Sequence, residues 1–200
     1  MNVMGRRSDH SRTELRELII EEGHRQMAEQ GFSHFSARQV ARAIGYSVGT
    51  IYNLFPSLDY LLLAINTRTF MLWTDHLRSR LECAGSDRIR ALVEAYFSFA
   101  RENPKLWMAI YDHRLPSGMT MPEEDAQRRA ALTGIVVQEV ANVVPDRPLE
   151  QIHHLARSLI ATVHGHCAFD LNGTFALMGV TDAVEMALDR VRQSLAAQGR

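Results

Sequence analysis

FSARQVARAIGYSVGTIYNLF, residues 35–55, reads as two short helices joined by a tight turn. Ser36 stands where a helix cap belongs, and Gln39 three residues on completes a capping-box pattern. Val40, Ala41 and Ile44 give the first helix an apolar face, and Gly45 ends it. Ser47 caps a second helix carrying Ile51, Tyr52 and Phe55, and Pro56 closes the unit. A helix-turn-helix needs this order of side chains. A small residue (Ala41) lets the helices cross closely, a glycine (Gly45) takes the left-handed turn, and an apolar residue (Ile51) plugs the angle between them.

The charges around this stretch point the same way. The chain as a whole is almost neutral, 22 Lys and Arg against 23 Asp and Glu, so it is not a polyelectrolyte partner for nucleic acid. Yet no acidic residue falls between Glu29 and Asp59, while Arg38 and Arg42 lie inside that window. Arg6, Arg7 and Arg12 against Asp9 make the beginning of the chain basic too. One positive face on a neutral protein suits phosphate contact at one end only.

Working outward, the 200 residues suffice for one or two domains with a real core. A first helix is expected over about 11–30, with Gly31 just past its end and Gly23 as a close crossing point under the helix-turn-helix. Ser57 caps a long fourth helix to about residue 83, and Ser86-Asp87 opens a fifth. Asn103-Pro104 starts a sixth, followed by the loop LPSGMTMP, residues 115–122. A seventh helix runs over about 123–144, an eighth starts at Leu149, and Thr181 caps a last one after the loop 172–180. No strand pattern occurs, so the fold class is all-α with about nine helices. A helix-turn-helix domain over 11–56 precedes a second helical domain over 57–197. Cys83 and Cys167 are too few and too far apart for a disulfide framework, and no apolar run is long enough for a membrane span. A reducing cytoplasm is the expected location.

The sequence resembles the TetR-type (tetracycline-repressor-like) family of bacterial transcriptional regulators across roughly 13–63. The resemblance rests on Gly31-Phe32, on Ala41 to Gly45, and on GTIYNLF at 49–55 followed by Leu61-Leu62. Val163-His164-Gly165 looks like the Trp-His-Gly triplet of one C-terminal subgroup, with Val in place of Trp. The resemblance implies a homodimer on a near-palindromic double-stranded DNA operator, with a small-molecule effector whose binding moves the fourth helix. It also implies a dimer interface built by the last two helices, through Leu149, Ile152, Ala156, Leu159, Val163, Val184, Leu188 and Val191.

In a helix-turn-helix the second helix enters the major groove with its N-terminal residues at base edges. That makes Ser47, Val48, Gly49, Thr50 and Asn53 candidates here, and Tyr46 in the turn can reach a phosphate. Family positions carried over add Ala37, Arg38 and Tyr52, with Arg38 the strongest base or phosphate contact. Leu58 stands where members often carry a phosphate-contacting lysine, a departure for which the basic segment at Arg6, Arg7 and Arg12 can compensate.

On the effector side, Phe70, Trp73, Tyr96, Phe97, Trp107, Met108 and Tyr111 crowd the middle helices and would line a cavity for an apolar or aromatic molecule. Glu94, Asp112 and His113 are candidate polar fixing points. His153, His154, His164, His166 and Asp170 form the other cluster. His166 and Asp170 share a helix face, but His164 and His166 lie about 200° apart around it, so satisfied seam histidines are expected rather than a metal site. Neither a nucleophile–base set nor a phosphate-cradling loop occurs, so no enzyme and no cofactor is expected. A helical protein-docking module is the other class, but docking gives no reason to shed every carboxylate from 30–58.

Overall fold

In the computed structural model, which describes residues 10–199, the first helix begins on a reciprocal cap. The Ser11 hydroxyl accepts from the Glu14 N–H at 3.2 Å, and the Glu14 carboxylate accepts from the Ser11 N–H at 2.7 Å. That helix, α1, spans Arg12–Gln30 and is followed by a 3-10 turn at Phe32–His34. The helix-turn-helix is α2 (Ala37–Ala43) and α3 (Val48–Leu54). Beyond it come α4 (Leu58–Glu82), α5 (Arg88–Glu102), α6 (Pro104–Asp112) and α7 (Glu123–Val143). The chain ends in α8 (Leu149–Leu171), α9 (Thr174–Leu177), α10 (Ala183–Ala196) and a 3-10 turn at Ala197–Gly199. Among the described residues every regular element is helical, and no single helix is long and apolar enough to cross a membrane.

The tenth helix is the short α9, inside the stretch expected to be a loop. Gly173 takes φ +77° to turn the chain out of α8, and the Asn172 side chain accepts from the Thr174 N–H at 2.9 Å to start a new turn. Three caps differ from expectation. Ser36 and Ser57 sit at N-cap positions, but their hydroxyls make no capping bond, so the capping box is at Ser11–Glu14 and not at Ser36–Gln39. The last helix is capped by Asp182, whose carboxylate accepts from the Glu185 N–H, and not by Thr181.

Two buried clusters organise the fold. One gathers Ile19, Met27, Val40, Ala41, Ile51 and Phe55 with Leu61, Leu62 and Ile65 of α4 and Leu106 and Ala109 of α6. The other gathers Trp73, Leu77 and Leu81 of α4 with the inner sides of α5, α7, α8 and α10 and with Trp107 of α6. Thus α4, 25 residues and about 37 Å long, is anchored in both cores. The head's core runs past residue 57 into α4. Gly23 serves the same junction: a Cβ there would stand 2.5 Å from Ile65 Cδ1, so its close crossing is with α4 and not under the helix-turn-helix.

The short helix α6 ties body to head more firmly than its sequence suggested. The Asn66 side chain of α4 donates to the Ala109 carbonyl at 3.2 Å, and the Lys105 ammonium donates to the Glu29 carbonyl of α1. At the far end the His113 Nε2–H meets the Asp59 carboxylate at 3.2 Å, beside the Phe32 ring.

Candidate nucleic-acid interface and effector cavity

The turn between α2 and α3 is built by backbone bonds that only a left-handed residue permits. Gly45 takes φ +78°, which lets Tyr46 N–H reach the Ala41 carbonyl at 2.9 Å and Gly45 N–H the Arg42 carbonyl at 3.2 Å. Ser47 then starts α3, its hydroxyl accepting from the Thr50 N–H at 3.2 Å and sharing a hydrogen bond with the Thr50 hydroxyl at 3.0 Å. Ile51 is fully buried and Val48 and Leu54 pack partly on the same core, so α3 is fixed by one side. The opposite side is open: Ser47, Gly49, Tyr52 and Asn53 are exposed, with Thr50 partly so.

Arg38 and Arg42 are exposed on α2, and among the described residues neither is held in an ion pair. Ala37 behaves differently: its side chain is buried in the head core and cannot reach DNA. Val48 is also more anchor than probe. Tyr46 keeps its hydroxyl 3.0 Å from His10 Nδ1, and the Asn53 carbonyl accepts from Arg12 at 3.4 Å. Leu58 lies exposed at the start of α4 and offers phosphate nothing.

The body holds an apolar cavity of about 50 Å³ lined by Leu77 of α4, Ile89, Leu92, Val93 and Tyr96 of α5, and residues of α7, α8 and α10. Of the seven aromatic and Met residues expected to line an effector site, only Tyr96 does. Trp73 stacks on Phe99 at 5.1 Å and meets Tyr96 edge-on at 4.7 Å, which makes it core. Phe97 and Trp107 are equally buried and Met108 is exposed, while Tyr111, part of whose ring is open to solvent, packs on Trp107 at 5.1 Å and on His164 at 4.2 Å. Phe70 lies under the Arg129 guanidinium at 4.9 Å, and that arginine donates to the Thr67 hydroxyl and the Leu63 carbonyl, pinning α7 to α4. Rings crowd together in sequence because they fill one another's edges, and the cavity is left to aliphatic side chains that no sequence pattern distinguishes from core.

The polar candidates are committed elsewhere. Glu94 pairs with Arg90, His113 with Asp59, and Asp112 is exposed. His164 Nδ1 bonds the Tyr96 hydroxyl at 3.0 Å, and that phenol also meets Tyr111 at 3.2 Å. Burial pushes the Tyr96 phenol up and the His164 imidazole down from their ordinary values, so both are uncharged at neutral pH. His166 bonds the Thr162 carbonyl of its own helix, and Asp170 takes two bonds from Arg101. Among the described residues no three His, Cys, Asp or Glu side chains converge on one point. Cys167 is buried and its thiol is pushed up to about 12 by that burial, whereas Cys83 is exposed.

The expected dimer interface needs correction. Ile152, Ala156, Leu159 and Val163 of α8, and Leu188 and Val191 of α10, are buried inside the single chain, where α8 and α10 pack on each other and on α5 and α7. Only Leu149, 63% exposed, and the half-buried Val184 of that set reach the surface. The outward side of α8 is Gln151, His154, Arg157, Ser158, Ala161, Gly165 and Phe169. Leu177, 90% exposed, Met178 and Met186 are exposed apolar side chains on α9, just after it, and on α10.

Comparison with known proteins gives the following. Residues 89–194 match the profile described as "Tetracyclin repressor-like, C-terminal domain", and residues 19–65 match "Bacterial regulatory proteins, tetR family". An HTH-type transcriptional regulator of Mycobacterium tuberculosis is 26% identical over 142 residues, 69% of this chain and 60% of its own length. The chain thus spans 60% of the length of the curated relatives it matches first. A solved structure of a protein of unknown function from Rhodococcus sp. RHA1 superposes with TM-score 0.71 at 21% identity, covering 97% of this chain and 98% of that one. A TetR family transcription regulator from Marinobacter aquaeolei VT8 gives 0.58 at 23% identity, with 90% and 94% covered. At such identities the two solved structures establish the fold alone.

Proposed function

Because the chain belongs to the tetR family of bacterial regulatory proteins, we propose that it is a DNA-binding transcriptional regulator, a repressor released from its operator by a small apolar effector. The observation that carries this reading is the open side of α3. A helix locked from behind by Ile51 presents Ser47, Gly49, Thr50 and Asn53 in a window without carboxylates, flanked by two exposed arginines, Arg38 and Arg42. In the major groove Gly49 brings backbone close to the groove wall, and Thr50 and Asn53 offer hydrogen bonds to base edges. Arg38 supplies the strongest contact, and Tyr46 and Tyr52 reach phosphates. Residues 11–56 are the reading unit, and 57–197 the effector and dimerisation unit.

A homodimer presents the reading unit twice, on an inverted repeat. Its interface is the outward side of α8 with Leu177, Met178 and Met186, not the stripe that α8 buries within its own chain. Gly165 favours this: a Cβ there would meet nothing within 4 Å, which leaves room for a second helix to approach.

The effector enters between α4, α5, α7, α8 and α10. A volume of about 50 Å³ is far below the roughly 300–1,000 Å³ of ordinary ligand pockets, so binding must part the helices. Leu77 lines the cavity and Leu61 packs in the head, 16 residues or about 24 Å apart along the same α4. Parting the body helices therefore shifts the head. A chain that answers to DNA in this way works in the cytoplasm.

Selection of genomic DNA fragments with the purified protein tests the reading. Enrichment of one inverted repeat is expected. Absence of any enriched sequence would reject it in favour of a helical protein-docking module.

A further inference from the structure

A second opening in the molecule shares no residue with the apolar cavity. It is a groove of about 330 Å³ walled by α1 of the head, by α4 and by the start of α7. That volume falls within the range of ordinary small-molecule sites. Its apolar surface comes from the nearly buried Ile20 and Ala64 and from the exposed Met71 and Leu72.

Six charged side chains also line the groove, three of each sign, and the ion pairs decide which of them are committed. Arg16 sits 3.7 Å from Glu17, Arg128 2.5 Å from Glu124, and Asp75 3.4 Å from Arg78. Asp125 and Arg68 are left over. Asp125 is only 6% exposed, and among the described residues its carboxylate accepts no hydrogen bond and forms no ion pair. Arg129, one turn on, offers an attractive charge, but its guanidinium donates to the Thr67 hydroxyl and the Leu63 carbonyl instead. A carboxylate this deep without a hydrogen bond is costly, and the groove it lines is where a donor can reach it.

Arg68 is half-buried on the same groove and, among the described residues, likewise holds no hydrogen bond or ion pair. The His24 imidazole near it is kept uncharged at neutral pH by burial and supplies no counter-charge. Nor do Asp125 and Arg68 bridge each other. The groove therefore keeps one open anion and one open cation beside an apolar wall.

We propose that this groove binds a small zwitterion with an apolar body, the chemistry of an apolar α-amino acid. The ammonium group donates to Asp125, the carboxylate accepts from Arg68, and the apolar body lies on Met71 and Leu72. A ligand with only a cation would leave Arg68 unanswered, and one with only an anion would leave Asp125 unmet. A molecule held here joins α1 to α7 across α4. None of this depends on DNA, and binding is measured on the full chain without it. Isothermal titration calorimetry with L-leucine, L-methionine and L-phenylalanine is the test, and at least one should bind with a Kd of about 1 mM or tighter. Its C-terminal amide, which lacks the anion, and its deaminated acid, which lacks the cation, should each bind at least about 10-fold more weakly, because hydrogen bonds to charged groups are the strong ones. Asp125→Asn and Arg68→Gln should each weaken binding by a similar factor, and Arg68→Gln alone suffices if Asp125→Asn fails to fold. No binding of any of the three amino acids at about 10 mM, or affinity unchanged in the folded variants, would overturn the site. An amide bound as tightly as its amino acid would overturn the zwitterion.

Discussion

Helices α3 and α8 are both amphipathic, but they use their two sides for opposite ends. The seven residues of α3 bury little beyond Ile51 and leave Gly49, Tyr52 and Asn53 in solvent beside the exposed cap Ser47, with Tyr52 46% exposed. The 23 residues of α8 bury Ile152, Ala156, Leu159, Val163 and Cys167 within the chain, and show solvent Gln151, His154 and Arg157, then the small Ser158, Ala161 and Gly165, and last Phe169. One helix is held from behind and keeps its polar side open to solvent. The other is a core wall whose outer side is small enough for another helix to lie against it. Amphipathicity states that one side of a helix is buried; the residues on the other side state what it is for.

Substitutions on the two helices and their supports should therefore fail in different ways. The largest effect is expected from Arg38→Ala beside α3. Each bidentate arginine contact to a base is worth about 1–3 kcal/mol, and a dimer makes it twice, so affinity for the recovered repeat should fall by at least about 30-fold. Thermal unfolding should be unchanged, because Arg38 is exposed and holds no ion pair among the described residues. Wild-type affinity in a mobility-shift assay would remove Arg38 from the interface.

Leu159→Ala on α8 should do the reverse. Leu159 is 4% exposed in the single chain, so the loss is a core cavity costing about 2–5 kcal/mol at every protein concentration. If Leu159 belonged to the dimer seam instead, the variant would stay folded and dissociate on dilution. Denaturant unfolding at two protein concentrations tells these apart.

A smaller effect concerns the support of the head. His24 of α1 has its Nε2 buried without a partner and faces the Arg68 charge, and burial lowers its imidazole to about 4. The unfolded chain takes up that proton near 6.5, so the folded state is favoured fully above that value and loses the advantage as pH falls toward about 4. His24→Gln should flatten this loss by about 1–2 kcal/mol while leaving stability at pH 8 nearly unchanged. His76 and His164, lowered by burial in the same direction, should leave a residual slope. An unaltered pH profile in the variant would show that His24 is not the group responsible.

The same contrast explains what was legible in the sequence. Ala41, Gly45 and Ile51 act through their immediate neighbours, so spacing alone predicts a buried small residue, a left-handed turn and a plug, and all three are present. Helix order and boundaries follow for the same reason, since Gly31, Gly45, Asp87 and Pro104 each act within a turn of themselves. The stripe from Ile152 to Val163 is as regular, but periodicity cannot say whether the covering surface is α10 of the same chain or a second copy. The cavity was harder still. Its wall is Leu77, Leu92, Val93, Leu159 and similar residues, identical in kind to the core around them, whereas the conspicuous rings of Trp73 and Trp107 pack solidly. The ties of α6 to the head, through Lys105, Asn66 and His113, span 43 to 76 residues of sequence and leave no local trace.

In the function we propose, one locally encoded head is presented twice by a body that pairs through the outward side of α8. Native mass spectrometry of the purified protein with the inverted repeat recovered by selection tests it most directly. Two chains on each intact repeat, with the complex lost when half of the repeat is scrambled, is the predicted result. A single chain bound equally well to the intact and to the half-scrambled duplex would contradict it.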